Sequence, residues 1–387
     1  MQYLLSKIKG DKIIWLVVII LSVFSLLAVY SSTGTLAYKY QGGNTEYYMI
    51  KHFIILVLGL FLMYIAHLIK YSYFSRIFQV ILWIAIPLLF LTLFVGLNLN
   101  EARRVLPLPF GLTFQTSDLA KLTLIMYLAR MLTKRQDVIK DFKTAFLPIV
   151  IPVLIVCFLI LPANFSTAAI LFSTSLVLMF VGRINLKHIF AMIGTGLVIL
   201  FIMVLIAKSY PTLLPRVDTW ISRIEGFISG DDKNDNYQVE QAKIAIANGG
   251  FFGKMPGNSE QRNFLPHPYS DFIFAIIIEE YGLFGGILIV FLYLILLFRA
   301  VKIVTKCPRN FGAFLTIGVA FSLVFQAMIN MAVAVNLLPV TGQTLPFISM
   351  GGTSIWFTSI SIGIILSVSK EIENNKENAG DLQTAAV

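Results

Sequence analysis

The sequence predicts an all-α polytopic membrane protein with about ten transmembrane helices, and composition, hydropathy and charge placement support this. Of the 387 residues, 57% are hydrophobic and only 13% are charged, whereas about 25% of residues in a soluble domain are charged. The mean hydropathy is +0.82. This composition excludes a soluble enzyme, a disordered chain and, despite the net charge of +10, a nucleic-acid-binding domain.

Apolar windows of the length that crosses a bilayer, about 20 residues, recur along the whole chain. The first is too long for the apolar core of a cleaved signal peptide, so we expect it to remain as an anchor. Residues 1–370 should form a single membrane domain, and the polar tail at 371–387 should be disordered. The predicted spans lie near 13–32, 50–69, 77–97, 116–133, 144–162, 165–182, 189–208, 271–299, 313–336 and 353–369.

Lysine and arginine are concentrated in every second short loop, which predicts that these loops and both termini are cytoplasmic. The connection at about 209–270 then lies outside. It far exceeds the usual connection of about 4–6 residues, which favours a functional loop. Within it, residues 215–224 are amphipathic and should lie along the membrane surface. Residues 238–247 read as a helix, and a glycine-rich stretch follows at 249–259.

Ionisable residues inside apolar spans are costly and therefore mark candidate functional positions. Asp271 begins the eighth span, where it is either a carboxylate favoured by the helix dipole or a general base. Lys121 either extends toward solvent or meets a phosphate or carboxylate inside the bundle. For Glu279 and Glu280, we expect a role in a hydrogen-bonded network rather than in catalysis. Side-chain amides at Gln326 and Asn330 predict hydrogen bonds between helices.

Two further segments on the outer side predict anion binding. Arg103 and Arg104 precede a turn-rich loop at 106–111, and their guanidinium groups suit either a pyrophosphate or ordinary anionic lipid. The loop at 336–354 contains two prolines and three glycines yet remains apolar. We expect it to be re-entrant and to line a cavity, where backbone N–H groups can cradle an anion.

Three segments at these spacings, 249–258, 265–280 and 338–354, resemble the SEDS family (shape, elongation, division and sporulation) over nearly the whole chain. The resemblance implies a glycosyltransferase that polymerises lipid II, the undecaprenyl-pyrophosphate-linked disaccharide-pentapeptide, at the outer face of the cytoplasmic membrane. It is closer to the FtsW-like division members, which implies a septal location, with a RodA-like elongation polymerase as the alternative. Rival classes are a lipid II flippase and a non-enzymatic division scaffold.

The resemblance also implies roles for individual residues. Asp271 matches the essential aspartate of the family, while Glu279, Glu280, Gln326 and Asn330 are expected in a structural network. Residues expected to bind substrate are Arg103, Lys121, Arg216, Arg223, Gln238, Gln241, Asn258, Ser259, Pro266, Thr341, Ser349, Gly351 and Gly352.

The chain departs from the family pattern at three places. It has Tyr269 and Ser270 where the family commonly has His-Thr before the aspartate, so a histidine there cannot be the obligatory proton acceptor. Asn164 replaces the aspartate of the family's Asp-x-Gly-Thr motif, which removes a carboxylate. The Gly-x-Gly spacing of the family is also altered, by residues 254–256. All three departures bear on local loop geometry.

Partners and cofactors follow from the same resemblance. Expected partners are lipid II, a class B penicillin-binding protein with transpeptidase activity, other divisome proteins and membrane lipid, with no nucleic acid. The sequence contains no dedicated metal-ligand cluster. A divalent cation, Mg²⁺ or Mn²⁺, bridging Asp271 and a pyrophosphate is compatible with the chemistry.

Overall fold

The computed structural model describes residues 9–99, 102–108, 112–209, 215–229 and 233–384, and helices dominate these ranges. In chain order the helices are α1 (Lys12–Ser32), α2 (Gly34–Tyr40), α3 (Thr45–Leu68), α4 (Tyr71–Val95), α5 (Thr116–Lys134), α6 (Leu147–Ile160), α7 (Phe165–Val181), α8 (Leu186–Ser209), α9 (Pro215–Ser229), α10 (Lys233–Gly249), α11 (Ile273–Val304), α12 (Asn310–Ala334) and α13 (Gly352–Thr384). A π-helical turn at Phe142–Phe146 leads into α6.

The predicted all-α membrane class is confirmed. Eight of the described helices are long and apolar enough to cross a membrane. The other two predicted spans are helices as well, α5 and α7. Helix α7 has only 17 residues and is shorter than the eight long apolar helices. The other, α5, carries Asp118, Lys121, Arg130 and Lys134, which lowers its hydropathy. Length and apolar character alone therefore identify eight spans rather than ten.

The prediction of a disordered tail after Lys370 is wrong for the residues that the structure describes. Helix α13 continues through this region to Thr384. Its polar residues contact the start of the chain: Lys9 Nζ lies 2.6 Å from the Glu377 carboxylate, and the backbone N–H of Gly10 donates to Glu373 at 2.7 Å. These contacts give the acidic residues of the helix extension partners that composition alone does not reveal.

A three-stranded antiparallel sheet, which the sequence analysis did not predict, joins α4 to α5. It consists of β1 (Leu97–Leu99), β2 (Ala102–Leu108) and β3 (Leu112–Gln115), in the order β1-β2-β3. The expected turn-rich loop at 106–111 is therefore partly strand, and its residues 109–111 lie outside the described ranges. The register of β1 and β2 shifts here: Leu97 pairs with Val105 and Asn98 with Arg103, so that Arg104 is an extra residue in β2.

The glycine-rich stretch after α10 packs backbone to backbone against a kink in α11. At the kink, Gly282 has φ 71° and ψ −175°, a conformation that is essentially restricted to glycine. The N–H of Lys254 donates to the Glu279 carbonyl at 2.9 Å, and the N–H of Leu283 donates to the Gly250 carbonyl at 2.8 Å. A Cβ atom on Gly253 would lie 2.2 Å from the Glu280 carbonyl oxygen. Close packing of these backbones requires both glycines.

The segment between α12 and α13, residues 335–351, has no helix or strand; it is exposed at its start, and residues 345–349 are buried in the protein. Side chains of α12 satisfy its backbone: Gln326 donates to the Thr344 carbonyl at 3.0 Å, and Asn330 donates to the Gln343 carbonyl at 2.6 Å. Leu345 and Ile348 are almost completely buried. Irregular backbone that is packed against protein is what a re-entrant segment requires, and we refer to residues 335–351 as the re-entrant segment.

Candidate active site

A polar cavity of about 290 Å³ lies where the sheet, α9, the segment before α11 and the re-entrant segment meet. Three arginines and two aspartates contribute to its wall, together with several amide and hydroxyl groups. Its polar lining residues are Arg104, Thr113, Gln115, Asp118, Asn164, Arg216, Arg223, His267, Tyr269, Ser270, Asp271, Gln326, Gln343, Thr344, Thr353 and Ser354.

Asp271 reaches this cavity from the segment that precedes α11. The N-cap position of that helix belongs to Phe272, so Asp271 lies one residue before the cap and remains next to the helix N-terminus. Its Oδ1 accepts a hydrogen bond from the Ser270 hydroxyl at 2.8 Å. The backbone carbonyl of Asp271 accepts from the Asn330 amide at 2.8 Å. The backbone is thus held while the carboxylate faces the cavity.

The re-entrant segment forms the cavity wall beside Asp271. A Cβ atom on Gly342, which has φ +63°, would lie 3.6 Å from Asp271 Oδ2. The Ser349 hydroxyl donates to the Ser270 carbonyl at 2.7 Å, and the N–H of Met350 donates to the Tyr269 carbonyl at 2.9 Å. These contacts fix the position of the aspartate relative to the re-entrant segment.

Three guanidinium groups give the cavity an excess of positive charge. Arg216 and Arg223 both come from α9, and the Arg223 guanidinium also donates to the Val340 carbonyl at 3.2 Å. Arg104 comes from β2. Burial lowers the pKa of Arg104, Asp271 acts in the opposite direction, and Arg223 lowers it further. Arg104, Arg223 and Asp271 line the same cavity, which is why their charges influence one another.

The structure places Arg104, rather than Arg103, in the cavity beside Asp271. The side chain of Arg103 is exposed and donates to the Phe94 carbonyl. Arg104 is the extra residue at the irregularity in the β1–β2 register, and such bulges redirect a side chain locally. Arg104 Nε is buried and has no hydrogen-bond partner among the described residues, as expected of a group that awaits an anionic ligand.

Lys121 lies in the protein interior next to the cavity, and the residues that line the cavity do not include it. Its ammonium group is 3.5 Å from Asp118 Oδ1 and donates to Gln326 Oε1 at 2.9 Å. Asp118 and Gln326 do line the cavity. The position of Lys121 therefore favours a role in holding these two side chains over direct contact with a substrate in the cavity.

The paired glutamates form a hydrogen-bonded network outside the cavity. The carboxylate of Glu279 accepts from the Ser259 hydroxyl at 2.5 Å and from the N–H of Glu260 at 3.1 Å. The carboxylate of Glu280 accepts from the Ser31 hydroxyl and, at 3.3 Å, from the N–H of Ser259. Both are at most 1% exposed. Their contacts hold the loop that follows the glycine-rich stretch.

The remaining predicted substrate-binding residues fall into two groups. Gly351 and Gly352 line the cavity. Two others are next to it: Ser349 donates to the carbonyl of the lining residue Ser270, and Thr341 directly precedes the lining residue Gly342. The lining of the cavity does not include five others, which lie on α10 or in the loop after it: Gln238, Gln241, Asn258, Ser259 and Pro266.

Some residues that line the cavity were not predicted from the sequence as site residues. Thr113 and Gln115 belong to the unpredicted strand β3, and no local signal distinguishes them. Asn164 accepts a hydrogen bond from the Gln343 amide at 3.2 Å. Its position in the Asp-x-Gly-Thr motif was the signal that could have placed it in the cavity.

The described residues contain no cluster of three or more His, Cys, Asp and Glu that could hold a metal ion. In sites that bind phosphates, Mg²⁺ uses one or two carboxylates together with phosphate oxygens. Asp271 is the cavity carboxylate without a lysine partner in the described structure. It is therefore the residue that would hold such a cation together with substrate.

The helical bundle and the cavity at one end of it define a polytopic membrane protein with a cationic polar site. Comparison with known proteins specifies its family. The family model FTSW_RODA_SPOVE, described as "Cell cycle protein", matches residues 11–374. The chain belongs to this family, the SEDS family.

Individual proteins show the same relationship. A probable peptidoglycan glycosyltransferase FtsW from Geobacter sulfurreducens is 32% identical over 371 residues, covering 94% of this chain and 96% of the relative. RodA from Thermus thermophilus has a crystal structure that matches with a TM-score of 0.67 at 24% identity, over 95% of this chain and 98% of RodA.

A chain from a structure titled "Structural coordination of polymerization and crosslinking by a peptidoglycan synthase complex" matches with a TM-score of 0.70 at 24% identity. The match covers 94% of this chain and 98% of that one. At this identity, the two structural matches establish the fold.

Proposed function

We propose that the protein polymerises lipid II into glycan strands and that the polar cavity is the active site. The chain is a peptidoglycan glycosyltransferase of the SEDS family, and its FtsW-like relatives carry that activity in their names. One observation carries the assignment of the site: the Asp271 carboxylate shares a single cavity with three guanidinium groups. A carboxylate suits an acceptor hydroxyl, and guanidinium groups suit a pyrophosphate.

In this mechanism, Asp271 deprotonates or orients the 4-hydroxyl of the acceptor sugar. The acceptor oxygen attacks the anomeric carbon of the donor with inversion, and the bond to the pyrophosphate oxygen breaks. A correctly placed base contributes about 10²–10⁴ in rate. Ser270 donates to Asp271 Oδ1 and so orients the carboxylate.

The arginines act on the other side of the reaction. Arg104, Arg216 and Arg223 line the cavity and would neutralise the charge of the departing pyrophosphate, an electrostatic stabilisation of the transition state. Pyrophosphate is already a good leaving group, so no strong general acid is needed. Asp271 is the residue that would hold a divalent cation, which would supply further positive charge for the pyrophosphate. Lys121 takes part indirectly, because it holds Asp118 and Gln326.

Ten spans with both termini in the cytoplasm would place the cavity at the outer face. The clustering of Lys and Arg in alternate loops supports this orientation. Cysteines introduced at Asp218 on α9 and at Lys143 between α5 and α6 test it in a Cys157→Ser, Cys307→Ser background. A membrane-impermeant maleimide added to intact cells should label the cysteine at 218 and leave the one at 143 unlabelled. The reverse pattern would contradict the orientation.

The partner is proposed to be a monofunctional class B penicillin-binding protein. The peptidoglycan synthase complex that contains a chain of this fold supports an assembly of this kind. The FtsW-like relatives support a septal site of action, with other divisome proteins nearby. A fluorescent fusion should therefore concentrate at midcell, whereas uniform lateral fluorescence would favour the elongation role.

A polymerisation assay tests the function: the purified protein is reconstituted with that transpeptidase, and lipid II is added as substrate. We expect glycan strands longer than the disaccharide, resolved on a gel after lipid removal. A flippase would instead move labelled lipid II between leaflets without lengthening it, and a scaffold would do neither. Either of these outcomes, with polymerisation absent, would overturn the proposal.

A further inference from the structure

A buried histidine on α3 belongs to a hydrogen-bonded chain that ends at the re-entrant segment. His52 is 1% exposed, and its Nε2 lies 2.8 Å from the hydroxyl of Ser25 on α1, which is fully buried. The Ser25 hydroxyl in turn donates to the Ile348 carbonyl at 2.9 Å. Two of the first three helices thus meet the re-entrant segment through a single hydroxyl group.

The directions of these hydrogen bonds follow from the available protons. A carbonyl oxygen only accepts, so the single hydroxyl proton of Ser25 goes to Ile348. The Ser25 oxygen must then accept from His52, which assigns the proton of the imidazole to Nε2. His52 Nδ1 is buried and finds no hydrogen-bond partner among the described residues. An unpaired nitrogen in a buried ring is unfavourable, so the hydrogen bond between His52 Nε2 and Ser25 is the contact that orients this ring.

The Ile348 carbonyl, which accepts the hydrogen bond from Ser25, belongs to a turn with a constrained backbone. The preceding residue, Phe347, has φ 70°, a conformation that is rare for a residue other than glycine. The hydroxyl of the next residue, Ser349, accepts from the N–H of Leu345 and donates to the Ser270 carbonyl, each at 2.7 Å. The contact with Ser25 is therefore one residue away from the contact that holds the residue before Asp271.

We propose that His52 and Ser25 are positioning residues for the reaction, and this inference rests on the proposed function. They hold the Ile348 carbonyl and with it the turn at 345–350, so that Ser349 keeps the Ser270–Asp271 backbone in place. Neither side chain lines the cavity, so their effect reaches the substrate through the re-entrant segment. A misplacement of about 1 Å in a catalytic group can cost about 10²-fold in rate.

The test measures kcat and KM for lipid II in the reconstituted polymerase. Ser25→Ala and His52→Ala should lower kcat by about 10–100-fold while KM changes little. His52→Gln, whose side-chain amide keeps an N–H donor, should retain more activity than His52→Ala. A role in holding the turn predicts this order of the variants, since it depends on a donor at position 52 rather than on volume.

Two matched controls separate positioning from general packing. Ser22 lies one turn before Ser25 on α1, is also buried, and bonds only within its own helix, to the Val18 carbonyl at 2.7 Å. His67 is on the same helix as His52, is 2% exposed and packs against Trp15. Ser22→Ala and His67→Ala should therefore leave kcat close to that of the wild type.

The possible outcomes are distinct. Wild-type kcat in both Ser25→Ala and His52→Ala would overturn the inference, as would equal losses in the control variants. Melting temperatures of the purified variants show whether each protein is folded, and the small Ser25→Ala change remains informative if His52→Ala does not fold. Absence of polymerisation by the wild type would instead refute the proposed function.

Discussion

Two adjacent arginines, Arg103 and Arg104, differ in whether their side chains reach the cavity. The sequence analysis favoured Arg103 as a substrate ligand, but that residue is exposed and contacts the Phe94 carbonyl. Arg104 lines the cavity. The sequence shows no sign of strand β2 or of its register shift at Arg104, so it cannot distinguish the two neighbouring arginines.

Arg104→Ala should impair polymerisation much more than Arg103→Ala. A hydrogen bond to a charged group contributes about 1.5–3 kcal/mol, so we expect kcat/KM to fall by about 10–150-fold for the cavity residue. The neighbouring variant should remain within about threefold of the wild type, since exposed charges contribute little. Steady-state kinetics on lipid II measure both. A larger loss for Arg103→Ala would contradict the placement of the two side chains.

At the scale of elements, the pair Asp118–Lys121 connects α5 to α12 through Gln326. Both charged side chains are largely buried, with 6% and 13% of their surface exposed. Removing one member of a buried ion pair leaves an uncompensated charge, which costs about 3–5 kcal/mol, whereas removing both is often tolerated. The pair therefore allows its structural and chemical contributions to be separated.

Lys121→Met should lower the melting temperature of the purified protein, and Asp118→Asn combined with Lys121→Met should restore most of it. Activity of the double variant then decides the role of Lys121. Because Lys121 acts through its neighbours in this structure, we expect the double variant to keep measurable polymerisation. A double variant that is stable but as inactive as Lys121→Met would indicate that the ammonium group itself contacts the pyrophosphate.

The kink in α11 is the second element on which the site depends. Gly282→Ala should destabilise the protein, because a Cβ atom there would lie 2.2 Å from the Phe251 carbonyl oxygen and the backbone conformation excludes most residues. Such conformations cost about 1–3 kcal/mol. Gly194→Ala is the control, since a Cβ atom on Gly194 in α8 meets nothing within 4 Å. Thermal unfolding in detergent should show a lower midpoint only for the kink variant.

For the whole molecule, the sequence predicts the helical membrane class because a run of apolar residues is a local signal. It also places helices in all ten expected windows, including α5 and α7, and two helices in the long connection between α8 and α11. It misses the sheet formed by β1, β2 and β3. These strands are too short to show a periodic pattern, and they are stabilised by pairing with one another. It likewise misses the extension of α13, whose partner Lys9 is 368 residues from Glu377.

The site shows the same division between local and long-range information. Asp271 is recognisable because an acid leads directly into an apolar helix. Its cavity neighbours come from β2, β3, α9 and the re-entrant segment, and their convergence depends on tertiary packing. Sequence spacing therefore identifies the carboxylate, while the identity of the arginine beside it requires the structure.

The central claim is that Asp271 is the residue on which polymerisation depends. The most direct measurement compares Asp271→Asn with Asp218→Asn, an exposed aspartate on α9, in the reconstituted assay with lipid II. We predict that Asp271→Asn lowers the polymerisation rate by about 10²–10⁴-fold at an unchanged melting temperature, whereas Asp218→Asn retains the wild-type rate. Polymerisation by Asp271→Asn at the wild-type rate would contradict the account.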